Sequence, residues 1–409
     1  GNYIDDLPAV QSLVTQQGIV FYGVGAGEWT RAVSNGYYYA QNDYSDAGYY
    51  FVGELADGEE ARSIDATGYA PGADAALADS YMCRLHHEQE LTQVQGEAGP
   101  LLLGEDMRFT TRRKVSFATP DAVPGGALSY QVSVITAMDG RGSLKVSLFG
   151  SEASSTTIEA TSKSDYIHGT ETIARNSVAF ASPAPASTEV EVAFNGGGTV
   201  SAANLNYVSI NYERSLALPA AGYKSFSTDK AANRLACANA SALTLWDVTD
   251  PLNLKAVNGA TDDGAYRWGM NGTAMRDYAA FTDASRMPAP ALVGTVTNQN
   301  LHALSGINMV IVTPAPFREQ ALRLADFHAS SGDSLAVAVV TPDEIYNEFS
   351  SGTPDIGGIR RFFKMLYDRG GLRYAILFAR TTLDNRGLTA YAPAYPTLPS
   401  WMPRGAAAS

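Results

Sequence analysis

Cysteine and histidine are the residue types in this sequence that could form a catalytic pair. The chain has two cysteines and five histidines, namely Cys83, Cys237, His86, His87, His168, His302 and His328. In acyl transfer by cysteine, a thiolate attacks the carbonyl carbon, a histidine carries the proton, and backbone N–H groups stabilise the oxyanion. Any such chemistry confined to this chain would have to use one of these pairs.

Cys83 and His87 are the pair with the most suggestive spacing. The segment Ala75–Leu91 is predicted to be a helix, on which residues four apart share a face. A reactive thiol also needs an exposed, electropositive environment, whereas Glu88 and Glu90 make the local field negative. We therefore expect both cysteines of the chain to be structural, joined by at most one disulfide.

Metal and cofactor sites are only weakly indicated. Cys83, with the adjacent His86 and His87, lacks a second ligand pair at zinc spacing. The acidic groups at 42–46 and 262–263 offer oxygen ligands, but neither has the twelve-residue alternation of an EF-hand. We expect no cofactor, and calcium in the β region is the alternative that stays open.

Residues 1–215 are predicted to be a β-rich, sandwich-like region. Short apolar and aromatic segments alternate with clusters of Gly, Pro, Asp and Ser, which is typical of a sandwich or jelly roll. The segments are Gly18–Tyr22, Gly48–Val52, Leu128–Ala137, Leu144–Phe149, Thr188–Phe194 and Leu205–Tyr212. The clearest hairpin is Ala127–Phe149, because Met138–Gly142 contains the Asp-Gly pair that tight β turns favour. The tyrosines of Tyr37–Tyr50 suit either core packing, which we favour, or an interface.

Residues 216–300 are predicted to form a second β-rich subdomain followed by a linker. Short strands and turns such as Leu243–Pro251 fill its first part, and no repeat of propeller period accompanies the WDVTDP sequence. The linker comprises the proline-rich Met287–Pro290 and the polar Thr295–Asn300.

Residues 301–409 are predicted to begin a parallel α/β sheet. Three apolar runs, Met309–Thr313, Leu335–Thr341 and Tyr374–Ala379, alternate with helical patterns. The first helix, Phe317–Ser331, presents Phe317, Ala321, Leu324 and Phe327 or His328 on one face, and two further helices start at Pro342 and Pro354. The last of these carries Ile359, Phe362, Phe363, Leu366 and Tyr367 inward. Chemistry in such sheets lies outside the carboxyl ends of the strands.

Charge and hydropathy exclude two classes of protein. The formal charge is −13 and the pI is about 4.8, whereas nucleic-acid binding needs a basic stripe. No apolar stretch approaches the ~18 residues of a membrane span. Targeting has to be inferred from other features, because the sequence starts at Gly1 without a leader pattern.

Specific segments of the chain resemble the gingipain-type cysteine peptidase family. They are Asn300–Phe317, Leu335–Asp355, Ile359–Arg369 and Tyr374–Gly387, and the upstream segments Gly18–Trp29, Tyr44–Glu54, Leu101–Phe117, Val208–Leu218 and Leu245–Leu254 resemble the β-rich region ahead of the peptidase domain. Within the family, the sequence is most similar to the sortases of the type IX secretion system of Bacteroidetes. The implied fold is a β-rich accessory region followed by the first half of a caspase-like sheet.

The resemblance also implies an activity, partners and a location. Such sortases remove the C-terminal signal domain of secreted cargo and pass the new carboxyl end to an amine of a lipopolysaccharide. The implied partners are that cargo and an outer-membrane barrel protein, at the outer surface of a Gram-negative cell, with no nucleic acid and no transmembrane segment. The family's catalytic His and Cys align beyond Ser409, so we expect this chain to be inactive alone.

One departure from the family pattern affects the candidate site. The family has Gly-Asp at the end of the third strand, where this chain has Ala379-Arg380, and Asp384 follows four residues later. Arg380 and Asp384 are therefore the accessory candidates, although Asp384 also suits a loop residue that caps its own backbone. We further expect Ala390–Ser409 to be loosely packed. The alternatives are a non-catalytic β-sandwich module that docks an outer-membrane partner or cargo, and a carbohydrate-binding protein.

Overall fold

The computed structural model describes residues 7–16, 18–32, 36–55, 57–93, 102–161, 169–220, 222–332, 334–382, 384–390 and 392–400. It is mainly β, with a smaller α/β segment after residue 300, as the sequence predicts. The strands before residue 216 are β1 (Ser12–Thr15), β2 (Gly18–Phe21), β3 (Glu28–Ala32), β4 (Gly36–Ala40), β5 (Asp65–Thr67), β6 (Ser80–Glu88), β7 (Thr92–Gln93), β8 (Leu102–Leu103), β9 (Arg112–Ala118), β10 (Ala127–Leu148), β11 (Ser151–Ile158), β12 (Thr170–Ala179) and β13 (Ser187–Ser215).

Two long antiparallel strands, β10 and β13, organise the sandwich. The first half of β10 pairs with β12 and with the second half of β13, which in turn pairs with β6. The second half of β10 pairs with β11 and with the first half of β13, which pairs with β9. Both strands thus cross from one layer to the other, and residues such as Val132, Leu144 and Val192 from both layers share one buried core.

The predicted hairpin at Ala127–Phe149 is wrong, because this segment is one continuous strand. The Asp-Gly-Arg-Gly sequence lies at the bend between layers, where Gly140 pairs with Gly197 and the register shifts on both sides. A Cβ on Gly197 would lie 2.0 Å from the Arg141 carbonyl oxygen. The glycines therefore allow two backbones to cross closely, and they do not form a turn.

The predicted helix at Ala75–Leu91 is also wrong, because Ser80–Glu88 forms β6. This strand pairs along its whole length with the end of β13, and the ladder with β13 overrides the local preference for helix. The hairpin β3–β4 lies nearby, since the rings of Trp29 and Tyr39 contact His86 of β6. The predicted strand at Gly48–Val52 is not formed, and these residues are irregular.

A second set of sheets follows, with strands β14 (Tyr223–Thr228), β15 (Ala232–Ala236), β16 (Thr244–Asp247), β17 (Lys255–Val257), β18 (Ala260–Asp262), β19 (Ala265–Gly269) and β20 (Arg276–Phe281). One sheet has the order β14-β20-β16-β17-β5 and the other β15-β19-β18. The fully buried Trp268 lies in their shared core with Phe226 and Tyr278. Residues 288–300 then run without helix or strand.

The α/β segment contains strands β21 (Met309–Val312), β22 (Val337–Val340) and β23 (Tyr374–Leu377), and helices α1 (Arg318–Ser330), α2 (Pro342–Phe349) and α3 (Ile356–Asp368). The three strands are parallel in the order β22-β21-β23. Alternate β21 residues face opposite ways, so Val310 packs against α2 and α3 while Ile311 packs against α1. This is the predicted βαβαβ arrangement.

Helix boundaries in this segment follow from capping residues. Thr341 and Glu344 form a capping box at the start of α2, and Asp355 accepts a 2.7 Å hydrogen bond from Gly357 N–H at the start of α3. Of the two alternatives at the end of α1, Phe327 is 65% exposed and His328 is half-buried, whereas the prediction that Tyr367 of α3 faces inward is wrong, because it is 70% exposed. Tyr367 lies one position beyond Leu366, the last buried residue of α3.

The chain after β23 forms two short paired strands, β24 (Thr381–Thr382) and β25 (Leu398–Pro399). Leu398 is 1% exposed and belongs to the core beneath α2 and α3. The predicted loose packing of Ala390–Ser409 is therefore wrong around Leu398, and residues 401–409 lie outside the described part. Among the described residues, no helix is long and apolar enough to cross a membrane.

Candidate functional site

The carboxyl ends of the parallel strands form a crevice, which is where ligands bind in open α/β sheets. At the end of β21, the buried Thr313 donates a 3.0 Å hydrogen bond from its hydroxyl to the Phe378 carbonyl. At the end of β22, Thr341 begins α2. Prolines follow both threonines, so the chain leaves each strand in a fixed direction.

A pocket with a volume of about 330 Å³ lies in this crevice. Its wall is rich in proline and includes two tyrosines, one from the α/β segment and one from the β-rich part. The lining residues are Tyr44, Pro314, Ala315, Pro316, Pro342, Asp343, Tyr346, Pro354, Thr382, Asn385, Pro396, Thr397 and Pro399. The rigid prolines indicate a pocket that is already shaped before any ligand arrives.

Burial and nearby carboxylates act on the two tyrosines of the pocket. Burial raises the pKa of Tyr346, and the carboxylates of Asp343 and Asp355 raise it further. Burial also raises the pKa of Tyr44, with smaller contributions in the same direction from Asp43 and Asp355. Both tyrosines are therefore neutral hydroxyl groups at neutral pH, and the Tyr44 hydroxyl donates to the Ser400 carbonyl.

Asp384 is placed below the crevice surface and serves its own loop. It is 3% exposed, and its carboxylate accepts hydrogen bonds from the backbone N–H groups of Leu388 (2.9 Å) and Thr389 (2.7 Å). Burial alone would raise the pKa of Asp384, but these backbone hydrogen bonds lower it below its ordinary value. The geometry matches the loop-capping alternative considered for Asp384 from the sequence.

Arg380 is exposed at the end of the third strand. Its guanidinium lies over the ring of Tyr395, 5.7 Å from the centroid, and Arg380 Nη1 is 3.5 Å from the Tyr395 hydroxyl. The structure thus places Arg380 against the chain's own later segment, and Arg380 and Asp384 make no hydrogen bond or ion pair with each other among the described contacts.

Arg386 is the prominent charged residue that sequence reasoning missed. Its side chain is 6% exposed and forms ion pairs with Asp46 and Glu90. No local pattern could have indicated this, because the partners lie about three hundred residues earlier in the chain. Only the folded arrangement brings them together.

The described cysteines lie away from the crevice. Cys83 is on β6 and is half-buried, Cys237 is buried in the second set of sheets, and neither is in a disulfide. In a strand, Cys83 and His87 are separated by about 13 Å along the chain, at about 3.3 Å per residue. The pair considered from the sequence is therefore not in contact.

The described histidines have other partners. His86 contacts Ser209 Oγ at 2.8 Å and Glu88 at 3.0 Å, and His87 contacts Glu105 at 3.0 Å. Adjacent strand residues point to opposite faces, so His86 and His87 do not converge on one ion. No metal-binding group of three or more His, Cys, Asp or Glu occurs in the described part of the chain.

The histidines of the α/β segment lie at the end of the sheet opposite the crevice. His302 Nδ1 donates a 2.7 Å hydrogen bond to the carboxylate of Glu348, in the last turn of α2, and its ring stacks on Phe349. His328 lies in the last turn of α1. Helices here run antiparallel to the strands, so both positions are at the amino ends of the strands. No cysteine or histidine lines the described pocket, and His168 lies outside the described residues.

Comparison with known proteins identifies the α/β segment. Residues 302–407 match the family described as peptidase family C25. This segment is C25-like. The resemblance to gingipain-type peptidases is thus confirmed where the sequence match is most specific. No match to the chain is found among curated proteins.

The fold of nearly the whole chain is that of PorU. The crystal structure of dimeric latent PorU from Porphyromonas gingivalis superposes with a TM-score of 0.83 and 23% identity, over 97% of this chain and 39% of that chain. The chain therefore spans about two fifths of the PorU chain that it matches, and the C25-like segment follows a PorU-like β-rich part.

Two carbohydrate-binding modules match only a part of the chain. One, a family 36 module in complex with calcium and xylotriose, has 12% identity and a TM-score of 0.20 over 31% of this chain and 98% of that chain. The other, from Cellvibrio mixtus lichenase 5A in complex with cellotriose, has 25% identity and a TM-score of 0.17 over 24% of this chain and 69% of that chain. Such low scores carry no conclusion about function, so carbohydrate binding stays a prediction.

Proposed function

We propose that this chain is the N-terminal portion of a PorU-type cysteine peptidase that acts as a sortase on secreted proteins. The observation that carries the proposal is the coincidence of two matches: a C25-like segment at residues 302–407 and a PorU-like fold over 97% of the chain. The β-rich part is then the accessory region, and β21, β22 and β23 are the first strands of the peptidase sheet.

In this proposal, catalysis is divided between this chain and polypeptide that follows it. The crevice at the carboxyl ends of β21–β23 has a shaped pocket but no cysteine or histidine in its described wall. The nucleophile and its base are supplied by later strands of the same sheet. The chain contributes the crevice wall, including the neutral hydroxyls of Tyr44 and Tyr346.

The chemistry is acyl transfer. A cysteine thiolate attacks the carbonyl carbon at the cleavage site, and the histidine gives its proton to the departing amine, which leaves a thioester. An incoming amine then attacks the thioester carbonyl and passes a proton to the histidine, so the thiolate is released and a new amide forms. Exclusion of water from the crevice once substrate is bound would favour the amine over water in this second step.

Labelling with an electrophilic peptide ketone tests the division of labour. We expect the chain alone to show no covalent adduct at Cys83 or Cys237 by mass spectrometry, because neither thiol lies in the crevice. A longer protein that includes the following strands should be labelled at one later cysteine. As controls, Cys83→Ser and Cys237→Ser in the longer protein should be labelled to the same extent as the wild type.

A peptide adduct on Cys83 or Cys237 in the native chain would contradict the proposal. A longer protein that is correctly folded but does not cleave a reporter carrying a C-terminal signal domain would also contradict it. These two outcomes test different parts, namely the location of the nucleophile and the identity of the substrate.

We further propose that the β-rich part docks secreted cargo and an outer-membrane barrel partner on the cell surface. The PorU-like fold of the β-rich part supports this proposal, which needs no catalysis by this chain. Crosslinking in intact cells, followed by fractionation, should recover the protein in the outer-membrane fraction bound to both partners. Recovery only from the cytoplasm would contradict this location. Calcium binding by the β region stays a prediction, and unfolding of the chain with and without calcium ions tests it.

A further inference from the structure

The ion pairs of the buried Arg386 side chain join parts of the fold that are distant in sequence. Its guanidinium donates to Asp46, in the irregular segment after β4, and to Glu90, just beyond β6. Arg386 itself belongs to the loop at 384–389, which we call the crevice loop. One side chain thus connects the segment at 41–51, the sandwich and the crevice loop.

Further contacts between the segment at 41–51 and the α/β segment support this connection. The Tyr44 hydroxyl is 3.4 Å from the Ser400 carbonyl, and Ser351 Oγ donates a 3.1 Å hydrogen bond to the Tyr49 carbonyl. Asn385, next to Arg386, donates to the same Ser400 carbonyl at 3.3 Å. Because Tyr44 and Asn385 both line the pocket, its shape depends on how the segment at 41–51 sits against the crevice loop.

We infer that Arg386 is a positioning residue, which fixes the crevice loop to the β-rich part through Asp46 and Glu90 and so sets the shape of the pocket. The inference deepens the proposed function, because it gives the accessory region a role at the peptidase crevice. It does not require Arg386 to touch substrate.

The charges explain why the connection is strong and specific. Burial alone would lower the pKa of Arg386, but its hydrogen bonds to Asp46 and Glu90 raise it. Burial raises the pKa of Glu90, and Arg386 acts in the opposite direction. Removing one partner of a buried pair leaves the other charge without compensation, which costs much more than losing an exposed pair.

Hydrogen exchange of the whole chain, read by mass spectrometry, tests the inference without any need for catalysis. In Arg386→Gln, we expect exchange in the segments 41–51 and 384–390 to rise by about tenfold or more, with the sandwich core unchanged. Arg386→Lys keeps the charge but cannot span both carboxylates, so its exchange should be intermediate. Asp46 is largely exposed, and Asp46→Asn should raise exchange by only roughly two- to fivefold.

The matched control is Arg318→Gln. Arg318 also pairs with a carboxylate, Glu344 at 2.9 Å, but this pair stays within the α/β segment. Exchange at 41–51 should therefore be unchanged in Arg318→Gln. A uniform rise over the whole chain in Arg386→Gln would overturn the inference, because it would indicate general destabilisation. Unchanged exchange at 41–51 in both Arg386→Gln and Asp46→Asn would overturn it as well.

The pH dependence gives a readout that packing alone would not change. Among the described residues, the charged groups that act on Glu90 besides Arg386 are Glu88 and Asp46, both acidic, so in Arg386→Gln protonation of Glu90 should relieve the defect. Because burial raises the folded-state pKa of Glu90 above its ordinary value of 4.5, stability is gained as the pH falls toward that value, and the excess exchange should shrink in the same direction. The double variant Arg386→Gln/Glu90→Gln keeps Glu88 and its partner His86, and should lose this pH dependence. A double variant with the same pH dependence as Arg386→Gln would overturn the assignment to Glu90.

Discussion

Asp384 Oδ2 accepts a 2.7 Å hydrogen bond from the backbone N–H of Thr389, and both residues are buried. Oδ1 accepts a second hydrogen bond, of 2.9 Å, from Leu388. The carboxylate therefore closes the crevice loop from within. An aspartate near the end of the third strand is used here to hold the loop that carries Arg386.

Replacing Asp384 should weaken the fold by an amount that depends on the hydrogen bonds kept. Asp384→Ala leaves two backbone donors without their acceptor, and we expect a loss of about 2–3 kcal/mol in the free energy of unfolding. Asp384→Asn keeps one acceptor oxygen and should lose about 1 kcal/mol. Urea unfolding followed by circular dichroism measures both values.

The control for Asp384 is Asp263→Ala, at an exposed turn residue between β18 and β19. It should change the free energy of unfolding by less than about 0.5 kcal/mol. A change equally small in Asp384→Ala would show that the loop does not depend on the carboxylate.

The lowered pKa of Asp384 predicts a specific loss of stability in acid. Since the folded-state pKa lies below its ordinary value of 3.8, the charged carboxylate stabilises the fold fully above that value. This contribution is lost as the pH falls through the folded-state pKa. The difference in unfolding free energy between wild type and Asp384→Asn should be constant from about pH 7 to pH 5 and shrink below about pH 4. A difference that is independent of pH would contradict the assignment.

Local signals were sufficient to predict the α/β segment. The parallel strands are continuous apolar runs, and α2 begins at the Thr341-Pro342 pair with Glu344 in the capping position. Such signals lie within a few residues of the element they specify. Asp384 belongs to the same class, because its hydrogen-bond partners are four and five residues away.

The errors arise where distant parts of the chain decide the structure. The Asp-Gly-Arg-Gly sequence favours a turn, but β13 supplies its own glycines opposite Gly140, and the two strands continue as a bent pair. Ser80–Glu88 became a strand because β13 pairs with it. Arg386 could not be assigned from sequence, since its carboxylate partners become neighbours only in the folded chain.

The bend between the sandwich layers predicts a large effect at Gly197. A Cβ there would lie 2.0 Å from the Arg141 carbonyl oxygen, so Gly197→Ala must force the two backbones apart. We expect a loss of about 3 kcal/mol or more and a fall in Tm of about 6 °C or more. Gly72→Ala is the matched control, because nothing lies within 4 Å of its Cβ position. Equal Tm values for the two variants would refute the close crossing.

The exposed edge of the parallel sheet predicts self-association. Among the described strands, β23 pairs only with β21, and its Tyr374 and Leu377 side chains are 49% and 51% exposed. Its sequence Tyr-Ala-Ile-Leu has no charge or proline, the features that protect natural edges. We expect the sedimentation coefficient of the chain to rise with concentration, and Leu377→Lys to keep it monomeric because the ammonium group resists burial. Val200→Lys, at a 62% exposed sandwich position, should associate as the wild type does. A wild type that sediments as a monomer at every concentration would contradict this prediction.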